Sequence, residues 1–139
     1  MNVLYKTSMT NTGGRHGTAE SPDGSLKFQM AVPVEMGGEA KSGTNPEQLF
    51  AATYSSCYGG ALEAVLTQAR AQYESATVQA EISLLEDPAD KGWYIGATLT
   101  VSVKGISLEK AQKYADLANK MCPYSKAIKG NVDVQIKVV

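Results

Sequence analysis

Asn45-Pro46-Glu47-Gln48-Leu49-Phe50-Ala51-Ala52-Thr53-Tyr54-Ser55-Ser56-Cys57-Tyr58, continuing through Gly59 to Leu66, reads as one long helix. Asn45 suits the N-cap, where a side-chain oxygen accepts an orphan backbone N–H. Pro46 suits the first helical position, and Glu47 lies against the positive end of the helix dipole. From Leu49 to Leu66 apolar residues fall on nearly every side, the pattern of a central, fully buried helix. Tyr54, Ser55, Ser56, Cys57 and Glu63 interrupt the run, so it is a core helix and not a membrane span.

Downstream, the period changes from helical to alternating. Val78, Ala80, Ile82 and Leu84 share one face of a strand, and Leu99, Val101 and Val103 one face of another. Asp87-Pro88-Ala89-Asp90-Lys91-Gly92 joins them as a hairpin loop, with Trp93 and Tyr94 assigned to hairpin or core packing. Ser107 caps a second helix that carries Leu108, Ala111, Ala115, Ala118 and Met121 at helical spacing. It must stop near Met121, because Pro123 disfavours helical geometry at Cys122. Val132, Val134, Ile136 and Val138 form a last half-buried strand. Upstream, Leu4–Met9 reads as a strand and Asn11-Thr12-Gly13-Gly14 as a turn. Gly17–Glu20 and Leu26–Val32 flank the Asp23-Gly24 hairpin signal. Met36–Thr44 is a loop. The whole is an α+β layout.

The 139 residues fit one domain, residues 1–139, with no repeat or linker to divide it. A formal charge of -1 without a Lys/Arg cluster excludes a nucleic-acid partner, which would need a basic stripe. Met1 to Lys6 shows no apolar signal core, so the expected compartment is the reducing cytoplasm, with no membrane partner. There a permanent disulfide is unexpected. Two cysteines and one histidine are too few for a closed zinc site, and no cofactor is expected. Two thiols remain, either inert or free for redox chemistry.

A cysteine on a buried helix is most often an inert small hydrophobe. Around Cys57, however, Tyr54, Ser55, Ser56 and Tyr58 place hydroxyls where a core helix would take Ala or Leu, and hydroxyl donors stabilise a thiolate. Burial alone raises a thiol pKa, so a reactive Cys57 also needs a positive partner. Arg15 is the candidate: Gly13-Gly14 before it and His16-Gly17 after it allow a tight turn that aims the guanidinium inward. The plain alternative is a solvated loop arginine, with His16 an exposed loop residue. A bidentate Glu47–Arg15 pair would fix the guanidinium in one orientation. Glu47 and Cys57 are ten residues apart, roughly 15 Å along a straight helix, so both cannot touch one guanidinium there. Either the helix breaks between Ala52 and Cys57, the reading preferred because Tyr54-Ser55-Ser56 weakens it, or one member comes from another subunit. Cys122, at a helix end, has the local mobility a resolving thiol needs; its plain alternative is an inert, half-buried thiol.

The segments Gly13-Gly14-Arg15, Thr44 to Ala52, Tyr54-Ser55-Ser56-Cys57 and Cys122-Pro123-Tyr124-Ser125, with the Gly130-Asn131-Val132-Asp133-Val134 ending, resemble the organic hydroperoxide resistance (Ohr) proteins of the OsmC/Ohr family. Each segment is weak alone; in this order and spacing, across nearly the whole chain, they are specific. The resemblance implies an intertwined homodimer of α+β subunits with active sites near the interface. It also implies reduction of alkyl and lipid hydroperoxides, with a dithiol such as a dihydrolipoyl protein as reductant. Cys57 matches the peroxidatic cysteine, Cys122 the resolving cysteine, and Arg15 and Glu47 the residues that polarise and orient the site. Against the family pattern, His16 stands for Asp, Thr53 for Gly, Ser56 for Ala and Tyr58 for Phe. Lys126, Ile128 and Lys129 stand for Asn, Thr and Arg. None removes a catalytic group, but substrate preference and pH dependence are open to change. Two competing readings share the cysteine pair: a non-catalytic module that binds an apolar ligand, and a redox sensor acting on a protein partner.

Overall fold

The computed structural model covers residues 1–139, and the chain divides into two compact units, Met1–Leu49 and Phe50–Val139. The secondary structure is mixed α+β, as its patterning requires. Three short antiparallel strands, β1 (Thr10–Thr12), β2 (Thr18–Glu20) and β3 (Lys27–Gln29), form the sheet of the first unit in the order β1-β2-β3. Ala19 pairs with Asn11 on one side and Phe28 on the other. The β2–β3 turn is the Asp-Gly hairpin: Asp23 accepts from Ser21 and Ser25, which lowers its carboxyl pKa to about 2.

Two expectations shift here. Residues 4–9 form no strand; pairing begins at Thr10, where the β1–β2 register starts. Leu4 and Tyr5 stay exposed, so nothing in the chain rewards extending that strand. Leu26–Val32 shortens to Lys27–Gln29, followed by a single bridge from Met30 to Thr44.

Helix α1 (Pro46–Gln68) starts where the sequence places it: the Asn45 side chain accepts from Gln48 N–H at 2.8 Å. It runs without a break between Ala52 and Cys57, contrary to the preferred reading. Ser55 returns its hydroxyl to the Ala52 carbonyl at 3.1 Å, a bond that leaves the helical ladder in place. The helix is buried along one stripe, Tyr54, Tyr58, Leu62, Val65 and Leu66, and not all round. Ala52, Ser56, Gly60, Glu63 and Ala64 are exposed in the single chain.

In the second unit, β4 (Ser75–Glu86) and β5 (Trp93–Lys104) pair antiparallel over their full lengths, from Ser75↔Lys104 to Glu86↔Trp93. β6 (Val134–Val138) adds parallel to β5. A parallel neighbour needs a crossover, which α2 (Leu108–Met121) and α3 (Pro123–Ile128) supply. Ala97, Leu99, Val101 and Val103 alternate into the core, meeting the α1 stripe and Ala111, Ala115 and Ala118 of α2. The small alanines let α2 approach closely. Ser107 caps α2 by accepting from Lys110 N–H at 3.3 Å. Trp93 and Tyr94 lie on the hairpin but are exposed, so they contribute nothing to the core. No helix is long and apolar enough to cross a membrane.

Candidate active site

Pro123 makes the local geometry at Cys122. Its ring forces the preceding residue out of helical conformation, and Cys122 has φ −62° and ψ 119°. The same proline then serves as first residue of α3, where a missing N–H costs nothing. Cys122 is therefore both the end of α2 and the start of α3: its N–H donates to Ala118 O at 2.8 Å, and its carbonyl accepts from Lys126 at 3.1 Å. This corner turns the thiol inward against α1, and the two sulfurs lie 3.5 Å apart, Cys122 Sγ donating to Cys57 Sγ. Both thiols are free.

Their burial differs from expectation. Cys122 is 0% exposed and Cys57, on the rim of the α1 stripe, is half-buried. The half-burial expected of an inert Cys122 is thus corrected to full burial, at the junction of α2 and α3. The thiol open to an incoming molecule is Cys57.

Of the hydroxyls expected around Cys57, those of Tyr54, Ser55 and Tyr58 are occupied elsewhere, and Ser56 is exposed. Tyr54 Oη and Ser125 Oγ share a buried hydrogen bond of 2.9 Å that ties α1 to α3. Tyr58 Oη donates to Ala115 O at 2.6 Å and ties α1 to α2. Ser55 is bound to Ala52. A helix faces its residues apart by a fixed angle, so hydroxyls adjacent to Cys57 in sequence point to other neighbours. Besides the Cys122 thiol, the Tyr124 backbone N–H, in the first turn of α3, favours the Cys57 thiolate. Burial raises the Cys57 thiol above its ordinary pKa and outweighs that N–H; the neighbouring Cys122 sulfur pushes the same way. Burial likewise raises both Tyr54 and Tyr58, keeping them neutral hydrogen-bonding groups.

The first unit holds the other pair. Gly13 takes a left-handed conformation (φ 85°), and Gly14-Arg15-His16 forms a 3-10 turn. Gly17 closes it so tightly that a Cβ there would overlap the Thr12 carbonyl. Asn11 staples the turn, accepting from Gly14 N–H at 3.0 Å. So held, Arg15 meets Glu47 with both nitrogens: Nη1 to Oε2 at 2.8 Å and Nη2 to Oε1 at 2.6 Å. The side chains are 28% and 17% exposed, which makes this a partly buried, fork-to-fork pair. The hydrogen bonds from Arg15 hold the Glu47 carboxyl below its ordinary pKa, and Glu47 raises that of Arg15. His16 is exposed, as expected.

The structure therefore brings the site residues named from sequence together as two pairs, Cys57 with Cys122 and Arg15 with Glu47. Sequence reasoning missed the Tyr124 N–H, Ser125 and helix α3. The signal was present: a proline directly after an extended residue is a first-position helix residue, and a backbone N–H two positions into a helix has no internal partner.

The OsmC-like protein family matches residues 37–137. An organic hydroperoxide resistance protein-like 2 of Staphylococcus epidermidis is 43% identical over 99% of this chain and 96% of its own length. The organic hydroperoxide resistance protein OhrB of Bacillus subtilis is 44% identical over 98% of each chain. The crystal structure of an organic hydroperoxide resistance protein OsmC from Legionella pneumophila superposes with a TM-score of 0.92. It is 40% identical and covers 99% of this chain and 98% of that one. Fold, spacing of motifs and identity over the full length agree: the chain belongs to the OsmC/Ohr family.

Proposed function

We propose that this protein is a thiol peroxidase that reduces organic hydroperoxides to alcohols. The observation that carries the reading is the 3.5 Å approach of an accessible Cys57 to a buried Cys122. A disulfide needs about 2.05 Å between sulfurs, so closure takes a movement of about 1.5 Å. The names and full-length similarity of the organic hydroperoxide resistance proteins support the substrate class.

In this mechanism Cys57 thiolate attacks the terminal peroxide oxygen; the O–O bond breaks, an S–O bond forms, and the alkoxide leaves, taking a proton to become the alcohol. Cys57 is now a sulfenic acid. Cys122 thiol attacks it, water leaves, and the Cys57–Cys122 disulfide forms before further oxidation. A dithiol, such as a dihydrolipoyl group on a protein, returns two electrons and two protons by exchange.

Burial disfavours the Cys57 thiolate, so the chemistry needs a cation. We assign that role to Arg15, oriented by Glu47, which also stabilises the departing alkoxide electrostatically. With α1 unbroken, the remaining route of the two considered from sequence is a guanidinium from a second copy, consistent with an intertwined homodimer. The same reading takes the chain as one OsmC/Ohr-like domain, since the family match runs across the boundary between the two compact units. It places the protein in the cytoplasm, where dithiol reductants are available.

Steady-state consumption of cumene hydroperoxide and of hydrogen peroxide, with dihydrolipoamide and then glutathione, tests this. The expected result is fast turnover with cumene hydroperoxide and the dithiol, abolished by Cys57→Ser. Unchanged turnover in that variant would refute the assignment. The raised Cys57 pKa favours a second reading, a non-catalytic binding module with inert thiols. Titration of Cys57 in the native assembly separates the two: a value at or above that of a free thiol, near 8.5, supports the module.

A further inference from the structure

A cavity of about 360 Å³ opens among α2, α3 and β6, in the second unit. That is within the range of small-molecule sites, about 300–1,000 Å³. Its deep wall is apolar or internally satisfied: Tyr54 is fully buried with its hydroxyl on Ser125, and Val132 and Val134 add aliphatic surface. The mouth is different. Lys120, Lys126 and Lys129 line it, all three exposed, and no acidic residue does.

None of these lysines forms an ion pair; the chain's salt bridges are Arg15–Glu47, Lys27–Glu20 and Lys41–Glu39. The acids close in sequence are engaged by amides, Asp116 by Gln112 and Asp133 by Gln135. Lys120 and Lys126 lie in the last turns of α2 and α3, where a cation suits the helix dipole. Lys129 is the C-cap residue of α3, at the same favourable end. Three unpaired cations around an apolar hole complement a molecule with one anionic end and a hydrocarbon body.

We propose that this cavity binds an alkyl carboxylate, with the chain against Val132 and Val134 and the carboxylate among Lys120, Lys126 and Lys129. The site needs no peroxide group and does not rest on the peroxidase reading. Its hydrocarbon wall supplies affinity through area removed from water, and the lysines supply the preference for a negative head group.

The test uses full-length Cys57→Ser protein, so that thiol chemistry plays no part. Decanoate, decanol and decyl phosphate are titrated by calorimetry below their aggregation concentrations, and methyl resonances of Val132 and Val134 report location. The expected result is saturable decanoate binding, one per chain, that weakens with salt and shifts those methyls. Lys126→Gln and Lys129→Gln, exposed positions that leave the fold intact, should each weaken decanoate about two- to fivefold and leave decanol unchanged. Decanol binding as tightly as decanoate, or the lysine variants binding decanoate unchanged, would overturn the proposal. So would a preference for decyl phosphate, or for vesicles of phosphatidylcholine and phosphatidylglycerol over free decanoate. Failure here leaves peroxide turnover by the wild-type protein untouched, and loss of turnover leaves this binding untouched.

Discussion

At the scale of single residues, the proposed mechanism divides the work between two thiols of unequal burial. Cys57 is reachable and Cys122 is not, so in the proposed mechanism peroxide meets Cys57 first and Cys122 reacts only with what Cys57 becomes. Replacing Cys122 with Ser should therefore permit the first attack and remove the rescue. Mass spectrometry after peroxide treatment should find Cys57 as sulfinic or sulfonic acid in the variant and as a disulfide in the wild type. Arg15 is the counterweight to burial in the proposed mechanism. Arg15→Ala should move the pH profile of Cys57 alkylation upward by about one to three pH units, the usual effect of one nearby opposite charge. An unmoved profile would remove Arg15 from the mechanism. Glu47 carries a separate, thermodynamic signature. Its pKa is lower folded than unfolded, so its contribution to stability is complete above the ordinary carboxylate range and lost as pH falls through the lowered value. Thermal unfolding across pH 2 to 6, compared with Glu47→Gln, should show that loss in the wild type alone, by at most about 1 kcal/mol for so partly exposed a pair.

At the scale of elements, helix ends set the site. Asn45 fixes where α1 begins and so where Glu47 stands in its first turn. Asn45→Ala should cost about 1 kcal/mol by chemical denaturation, the typical loss of an N-cap. In the second unit, Cys122 owes its extended backbone to Pro123, and α3 owes its start to the same ring. The Tyr54–Ser125 hydrogen bond then holds α3 against α1, keeping the Tyr124 N–H beside Cys57. One proline and one buried hydrogen bond thus place a donor that no nearby hydroxyl provides.

At the scale of the molecule, the single chain leaves much apolar surface uncovered. One face of α1 carries exposed Ala52, Gly60 and Ala64, and Val3, Leu4 and Tyr5 are also exposed. A helix apolar on nearly every side but buried on one calls for another surface. The proposed homodimer supplies it from a second copy. Analytical ultracentrifugation should find a dimer at micromolar concentration, and the melting temperature should rise with protein concentration, as mass action requires of a coupled dimer. A monomer with a concentration-independent melting temperature would refute the homodimer.

The sequence by itself determined the elements governed by local rules: the capped start of α1, the end of α2 before Pro123, the alternating strands β4, β5 and β6, and the Gly-rich turn bearing Arg15. Each follows from backbone sterics or from a period in apolar residues, which need only neighbours along the chain. Its motifs also carried the family. Only tertiary structure decided which thiol is buried, where the hydroxyls of Tyr54 and Tyr58 go, and that α1 is unbroken and buried on one side. Those outcomes depend on which distant groups compete for the same contact. Ser125, Ala115 and Tyr124 lie far from Cys57 along the chain, and their positions follow from packing α2 and α3 against α1, which no local pattern encodes.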